Sequence, residues 1–380
     1  MRKKIVFLTS TRADYGKMKP LMKVAHKNNK YLVYVFVTGM HTLSKYGGTW
    51  LEIEKDGFSR IYKYINQSNQ TKMDITLSNT IIGFSAYLSE TKPDMVVIHG
   101  DRLEALAGAI VGAFNNTLVA HIEGGETSGT IDESIRHAIT KLSHLHFVAN
   151  GECKNRLIRM GEKTETIFEI GSPDIDTMLS KKLPSFKDVK QKYGIESNKF
   201  SIFIFHPVTT ELEGLKHDIS EIISALISSN KKYVVIYPNN DEGSETILKE
   251  LKKLRGNKNF RIYPSIRFEY FLTMLKNAEF IIGNSSSGIR EAMIYGTKSI
   301  NIGSRQNNRI KSKKSKNMII NIDPNKEAIL TAINSINKNK KRKLSLFGDG
   351  NSASNFYKAI SNKKIWDTPL QKAFIDSEDM

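Results

Sequence analysis

The sequence predicts a two-domain α/β protein in which each domain is a parallel sheet covered by helices. Three observations carry this reading. Short apolar runs bounded by turn residues alternate with amphipathic stretches through both halves of the chain, and parallel strands require such crossover helices. At 380 residues the chain exceeds one ordinary doubly wound unit and suits two. Nearly every apolar run also ends in charged, amide or hydroxyl side chains, as strands of open parallel sheets do where they meet a ligand.

In the first half the strands are read at residues 4–8, 32–37, 95–98, 118–122 and 146–148. The second half repeats the scheme at 201–205, 233–237, 280–282 and 299–302, with amphipathic stretches such as 219–227 between them. The layout is Rossmann-like twice over. The joint falls at 180–198, where Lys181, Lys182, Pro184 and Gly194 occur without a long apolar run, as in a linker carrying a short helix. The expected boundaries are 1–183 for the N-terminal domain, 184–362 for the C-terminal domain and 363–380 for a terminal segment. No short-period repeat is present, which argues against a solenoid.

Composition narrows the function classes. An apolar fraction of 39% and an aromatic fraction of 9% belong to a folded globular protein. The single cysteine, Cys153, forms no internal disulfide, and no Cys/His spacing suits zinc, so a reducing, cytoplasmic setting without metal is expected. After Met1-Arg2-Lys3-Lys4 only residues 5–8 are apolar, too few for an export signal. The longest nearly apolar run, 105–114, is about half of a bilayer span, so no membrane partner is expected. The net charge of +18, from 57 Lys plus Arg against 39 Asp plus Glu, sits largely in Lys/Asn-rich stretches such as 311–317 and 337–343. These lack the interleaved aromatics of a single-strand-binding groove, and a solvated lysine-rich surface accounts for them better than nucleic acid does.

The strand ends hold the chemistry. In the first half they run into Thr11-Arg12-Ala13-Asp14, His99-Gly100-Asp101-Arg102 and Glu123-Gly124-Gly125-Glu126. In the second half they run into His206-Pro207, Pro238-Asn239-Asn240-Asp241, Gly283-Asn284-Ser285-Ser286-Ser287-Gly288 and Gly303-Ser304-Arg305. Two sheets facing each other through these edges would line one central cleft. The glycine- and serine-rich segment 283–291 follows an apolar strand and opens a helix, which suits a diphosphate cradle, although the same residues also make ordinary turns and caps. No GxxxxGK[ST] or GxGxxG pattern occurs, which counts against P-loop hydrolysis and nicotinamide chemistry.

Single residues carry two readings each. Arg12, Arg102 and Arg305 follow strands, where a guanidinium fork binds phosphate, and a surface salt bridge explains any one of them alone. His206, held by Pro207, can give a proton or a positive charge to a leaving diphosphate, or can be a satisfied core histidine. Glu291 is placed to accept ribose hydroxyls, or is a helix-surface glutamate. Asp132 and Arg136 are four apart on a helix beginning near Thr130, and with Asp101 and Glu123 they bring three carboxylates toward one place. Clustered carboxylates raise one another's pKa and can then exchange protons near neutrality.

Taken together, Thr11-Arg12-Ala13-Asp14-Tyr15-Gly16, Val37-Thr38-Gly39-Met40-His41, His99-Gly100-Asp101-Arg102, His121-Ile122-Glu123-Gly124-Gly125-Glu126, Asp132-Glu133-Ser134-Ile135-Arg136-His137, His206-Pro207 and Gly283-Asn284-Ser285-Ser286 resemble a known family. It is that of the hydrolysing UDP-N-acetylglucosamine 2-epimerases of bacterial sialic acid synthesis and the epimerase half of the bifunctional animal enzyme. The resemblance runs from Lys4 to about Phe356. It implies a glycosyltransferase-B-like fold, a C-terminal segment crossing back to the N-terminal domain, and a homodimer or dimer of dimers. It also implies that Arg12, Lys17, Arg102, His206, Asn239, Ser285, Ser286, Glu291 and Arg305 bind UDP, and that Asp101, Glu123 and Asp132, with Arg136 and His206, serve catalysis. Two departures stand out. Gly16 replaces a UDP-binding serine, and Glu245 and Lys249 stand where part of a feedback site would lie.

The chemistry implied is elimination of UDP to 2-acetamidoglucal, followed by hydration to N-acetylmannosamine, with no metal and no nicotinamide cofactor. Rival readings are a hydrolysing epimerase of a 2,4-diacetamido-trideoxy UDP-sugar, a glycosyltransferase of the same fold and, last, a nucleic-acid-binding protein. Glu123 stands where the diacetamido group often has histidine, which favours UDP-N-acetylglucosamine.

Overall fold

The computed structural model describes residues 2–68, 71–128, 130–180, 182–307, 318–336, 347–373 and 375; the lysine-rich stretches 311–317 and 337–343 lie outside the described residues. The chain divides into two compact units, Met1–Glu126 with Asp132–Leu179 and Leu346–Met380, and Thr127–Ile131 with Ser180–Ser345.

The first unit holds strands β1 (Lys3–Thr9), β2 (Tyr31–Val37), β3 (Ile61–Lys63), β4 (Met95–His99), β5 (Leu118–Ile122), β6 (Leu145–Val148) and β7 (Ile167–Glu169). Its helices are α1 (Arg12–His26), α2 (Leu51–Lys55), α3 (Met73–Thr91), α4 (Leu103–Phe114), α5 (Ile131–Leu142), α6 (Gly151–Arg159) and α7 (Pro173–Met178). The strands form one sheet in the order β3-β2-β1-β4-β5-β6-β7, with every pairing parallel. Alternation along β1 divides the core between two faces. Ile5 and Phe7 pack with Met18, Leu21 and Met22 of α1, whereas Val6 and Leu8 pack with Phe84 and Leu88 of α3.

The second unit holds β8 (Ser201–Ile204), β9 (Tyr233–Ile236), β10 (Phe260–Tyr263), β11 (Phe280–Gly283), β12 (Lys298–Ile302) and β13 (Ile319–Ile322). Its helices are α8 (Phe186–Lys192), α9 (Leu215–Ser228), α10 (Ser244–Leu251), α11 (Phe268–Asn277), α12 (Glu291–Tyr295) and α13 (Lys326–Ser335). The order is β10-β9-β8-β11-β12-β13, again parallel throughout. Ile219, Ile222 and Ile223 of α9, at helical spacing, pack with Phe203, Val235 and Ile282 of the strands. A last helix, α14 (Ser352–Ser361), belongs to the first unit, where the Phe356 ring meets those of Phe7 and Phe147.

The nine strands read from the sequence are present, and four more, β3, β7, β10 and β13, were not read. All four lie at sheet edges. They are three or four residues long and only partly buried, so they show no unbroken apolar run.

Candidate active site

In each sheet the chain reverses its direction of winding next to its first strand, between β1 and β4 and between β8 and β11. At such a point the loops leaving neighbouring strands diverge and open a crevice beyond the carboxyl ends. The candidate residues lie around these edges.

In the second unit, His206 follows β8 and Asn284 follows β11, and the two are locked together. The His206 N–H donates to Asn284 Oδ1 at 2.7 Å, and Asn284 Nδ2 donates to the His206 carbonyl at 2.8 Å. Gln306 Nε2 donates to the Asn284 carbonyl at 2.9 Å, tying in the loop after β12 that carries Arg305. Gly283 has φ +128°, and a Cβ there would lie 1.9 Å from the Ile204 carbonyl oxygen, so only glycine lets β11 run this close to β8. The backbone N–H of Asn239, after β9, donates to His206 Nδ1 at 2.9 Å. The neutral imidazole therefore carries its proton on Nε2. Ser285 and Ser286 open a 3-10 turn, Ser286–Gly288, rather than the helix itself, and Ser285 Oγ lies 2.7 Å from Ser287 Oγ. Glu291 is the first residue of α12 and only 3% exposed, which sets aside the helix-surface alternative.

In the first unit, Asp101 and Arg102 follow β4, and Glu123 follows the adjacent β5. Arg136 of α5, 2% exposed, pairs with Asp101 and donates to the Glu126 carbonyl at 3.1 Å. Asp132 lies one turn before Arg136, at the start of the same helix. Glu123 is buried, with φ +63°, a conformation that costs a glutamate energy unless the surroundings hold it there. One carboxylate oxygen receives the Ser172 hydroxyl; the other receives His99 Nε2 at 3.0 Å and lies 3.8 Å from Lys17 Nζ. Lys17 is also 3.4 Å from Asp174, so the structure sets it among carboxylates. Asp101 and Glu123 thus each face a cation, which offsets the mutual repulsion on which the sequence reading relied.

Two of the three strand-end arginines, Arg12 and Arg102, are held by carboxylates. Arg12 pairs with Glu52 at 2.9 Å and Arg102 with Glu104 at 3.3 Å. His121 is fully buried; it donates from Nε2 to the Gly100 carbonyl at 2.8 Å, and Nδ1 lies 3.2 Å from Thr140 Oγ1. Burial drives its pKa down to about 3, so it stays neutral and links the Asp101 loop to α5. Asp14 accepts from Thr9, from Ser10 and from the Thr11 N–H, closing a capping box with Thr11 that anchors the start of α1.

Sequence reasoning missed Ser172 and Asp174 and gave His99 no role of its own. Ser172 and Asp174 follow β7, the unread edge strand. β7 is three residues long and only partly buried, so no apolar run in the sequence marks the strand end that they follow. Among the described residues no cluster of three or more His, Cys, Asp or Glu suits a metal ion, and no helix is long and apolar enough to cross a membrane.

A profile of the UDP-N-acetylglucosamine 2-epimerase family matches residues 23–361. The UDP-N-acetylglucosamine 2-epimerase of Neisseria meningitidis serogroup B is 46% identical over 98% of this chain and 99% of its own length. The hydrolyzing UDP-N,N'-diacetylbacillosamine 2-epimerase of Legionella pneumophila is 36% identical over 98% and 99%. Polysialic acid biosynthesis protein P7 of Escherichia coli is 35% identical over 87% and 85%. Among solved structures, the UDP-GlcNAc 2-epimerase of Methanocaldococcus jannaschii in complex with UDP-GlcNAc and UDP matches with a TM-score of 0.81 at 22% identity, covering 94% of this chain and 99% of that one. The likeness identifies the glycosyltransferase-B-like fold. With two parallel-sheet units of this topology and a match along most of its length, the chain belongs to the UDP-N-acetylglucosamine 2-epimerase family.

Proposed function

We propose that the protein is a hydrolysing UDP-N-acetylglucosamine 2-epimerase, converting UDP-N-acetylglucosamine and water to N-acetylmannosamine and UDP, the first step of sialic acid biosynthesis. The observation that carries the reading is Glu123, a buried carboxylate with fixed partners at a strand end beside Asp101. The Legionella relative is described as hydrolyzing, and the Escherichia coli relative as a polysialic acid protein, which supports the water-consuming branch and its pathway.

The C2 hydrogen of the sugar has no adjacent carbonyl, so its removal needs an electron sink, and departure of UDP from C1 supplies one. A carboxylate takes the C2 proton, the electron pair forms the C1–C2 double bond, and the C1–O bond breaks to release UDP. Water then adds its oxygen to C1, and a proton returns to C2 from the opposite face. In the first unit, Glu123 and Asp132 carry the proton transfers and Asp101 stays close to the sugar. In the second, the His206 Nε2–H, the Ser285-Ser286 turn and Arg305 stabilise the diphosphate, and Asn239 and Glu291 contact the nucleotide. Arg12 and Arg102, each paired with a carboxylate, offer the remaining donors of their guanidinium forks at the edge of the first sheet, and Lys17 faces Glu123 and Asp174. The route requires neither metal nor nicotinamide.

A homodimer, or a dimer of dimers, is the expected assembly. On α3 one face buries Phe84 and Leu88, while Ile75 and Ile82 remain 50% and 63% exposed on the same helix. An amphipathic helix of a lone domain would keep that second stripe polar.

Proton NMR of the purified protein with UDP-N-acetylglucosamine in heavy water tests the reaction. Free N-acetylmannosamine carrying deuterium at C2, with UDP released, is the expected product. UDP-N-acetylmannosamine would assign the non-hydrolysing branch. An unchanged spectrum, with turnover of the diacetamido sugar instead, would assign the activity described for the Legionella relative.

A further inference from the structure

We propose that Ser172 is a positioning residue for Glu123, and that the returning chain at Phe347 and Gly348 holds Ser172 in place. The inference rests on the reading of Glu123 as a proton-transfer group. Ser172 stands at the N-cap of α7, directly before Pro173 at the first helical position. A serine there ordinarily gives its side chain to the helix's own unpaired N–H groups. This one makes no cap bond, and its hydroxyl donates to Glu123 Oε1 instead. A local rule is broken at a fully buried serine, and what replaces the cap is a contact with a buried carboxylate in a strained backbone conformation.

The other side of Ser172 is equally determined. Its N–H donates to the Phe347 carbonyl at 2.6 Å. Gly348, at φ +130°, lies so close that a Cβ on it would come within 2.9 Å of the Gly171 Cα and 3.3 Å of the Ser172 nitrogen. The first turn of α7 makes two further contacts, one with α1 and one with the returning chain. Asp174 meets Lys17, and Asp176 accepts the N–H groups of Ser352 and Ala353 at 2.9 and 2.7 Å, capping α14. A chain of direct contacts therefore runs from the start of α14 and the preceding loop, through Ser172, to the carboxylate of Glu123.

The hydroxyl has a chemical consequence. A donor to a carboxylate favours its ionised form, so Ser172 keeps Glu123 available to accept a proton and fixes the direction of its lone pairs. Other groups facing Glu123 include His99 from the end of β4, Lys17 from α1 with Asp174 behind it, and His121 on β5. None of these contacts passes through the serine hydroxyl, so removing it deletes one donor to Glu123 and no other named contact.

The test is Ser172→Ala in the full-length enzyme, with kcat, KM, UDP affinity, thermal midpoint and the pH profile of kcat/KM measured together. The expected result is a fall in kcat of roughly ten- to a hundredfold, the value of one hydrogen bond to a charged group. UDP affinity and thermal midpoint should barely change, and the acid limb of kcat/KM should move to higher pH, because Glu123 without its donor is protonated more readily. A merely structural serine would lower the thermal midpoint and leave kcat and the pH profile alone, and that outcome overturns the proposal. Glu123→Gln separates the two readings. Full turnover in Glu123→Gln removes the role of Glu123 itself, whereas an inactive Glu123→Gln beside a fully active Ser172→Ala removes only the positioning role.

Discussion

His206 accepts a hydrogen bond at Nδ1 from the backbone N–H of Asn239, 2.9 Å away, and this fixes its Nε2 as the protonated nitrogen of the neutral ring. The histidine is thus built to donate, the role a departing diphosphate requires. A glutamine amide can place a donor near the Nε2 position, whereas an asparagine amide reaches only the Nδ1 position. His206→Gln should keep at least about ten times the kcat of His206→Asn, which should fall by about 10²–10³, the usual loss on removing one donor from a developing anion. Equal rates for the two variants would mean that His206 does not act through Nε2.

Gly283→Ala tests the close approach of β11 to β8. With the added methyl 1.9 Å from the Ile204 carbonyl oxygen and φ at +128°, the strand has to move. A stability loss of more than about 3 kcal/mol is expected from thermal unfolding, together with loss of UDP binding by calorimetry, since Asn284 and Ser285 would be displaced with the strand.

Stability should fall on the acid side earlier than carboxylate titration alone would cause. Burial lowers His41 to about 4 and His121 to about 3, so both are neutral in the folded state, whereas the unfolded chain protonates them near 6.5. The unfolded state then binds more protons, and the stability present above pH 6.5 is lost as pH drops toward 4, by roughly 3 kcal/mol for His41. Glu162, lowered to about 2 chiefly by His146 and Lys372 against the opposing effect of burial, adds a second loss only between about pH 4.5 and 2. Thermal midpoints between pH 8 and 5 check the first loss, and a flat profile over that interval would refute it.

If α3 packs against a second copy, Ile82→Asp should shift the protein to monomers in light scattering after size exclusion while leaving its circular dichroism unchanged. An unaltered mass would exclude that face of α3 from the assembly.

The main architecture was legible in the sequence because central parallel strands are buried on both sides and therefore read as unbroken apolar runs, as in β1, β4 and β5. The candidate residues Asp101, Glu123, His206, Asn239, Ser285 and Arg305 lie just beyond the ends of such strands. Edge strands bury too little to leave that signature, so β7 went unread, and with it Ser172 and Asp174. Periodicity placed Asp132 and Arg136 one turn apart on α5 but could not say that Arg136 would meet Asp101, 35 positions earlier in the chain. What the sequence determined by itself is whatever depends on neighbours along the chain: strand, helix, turn and cap. The tertiary structure decided the partners of each charge, because a carboxylate's behaviour is set by the cations and donors that folding brings to it from distant segments. Glu123, reached by Lys17, His99 and Ser172 from three separate elements, is the clearest case.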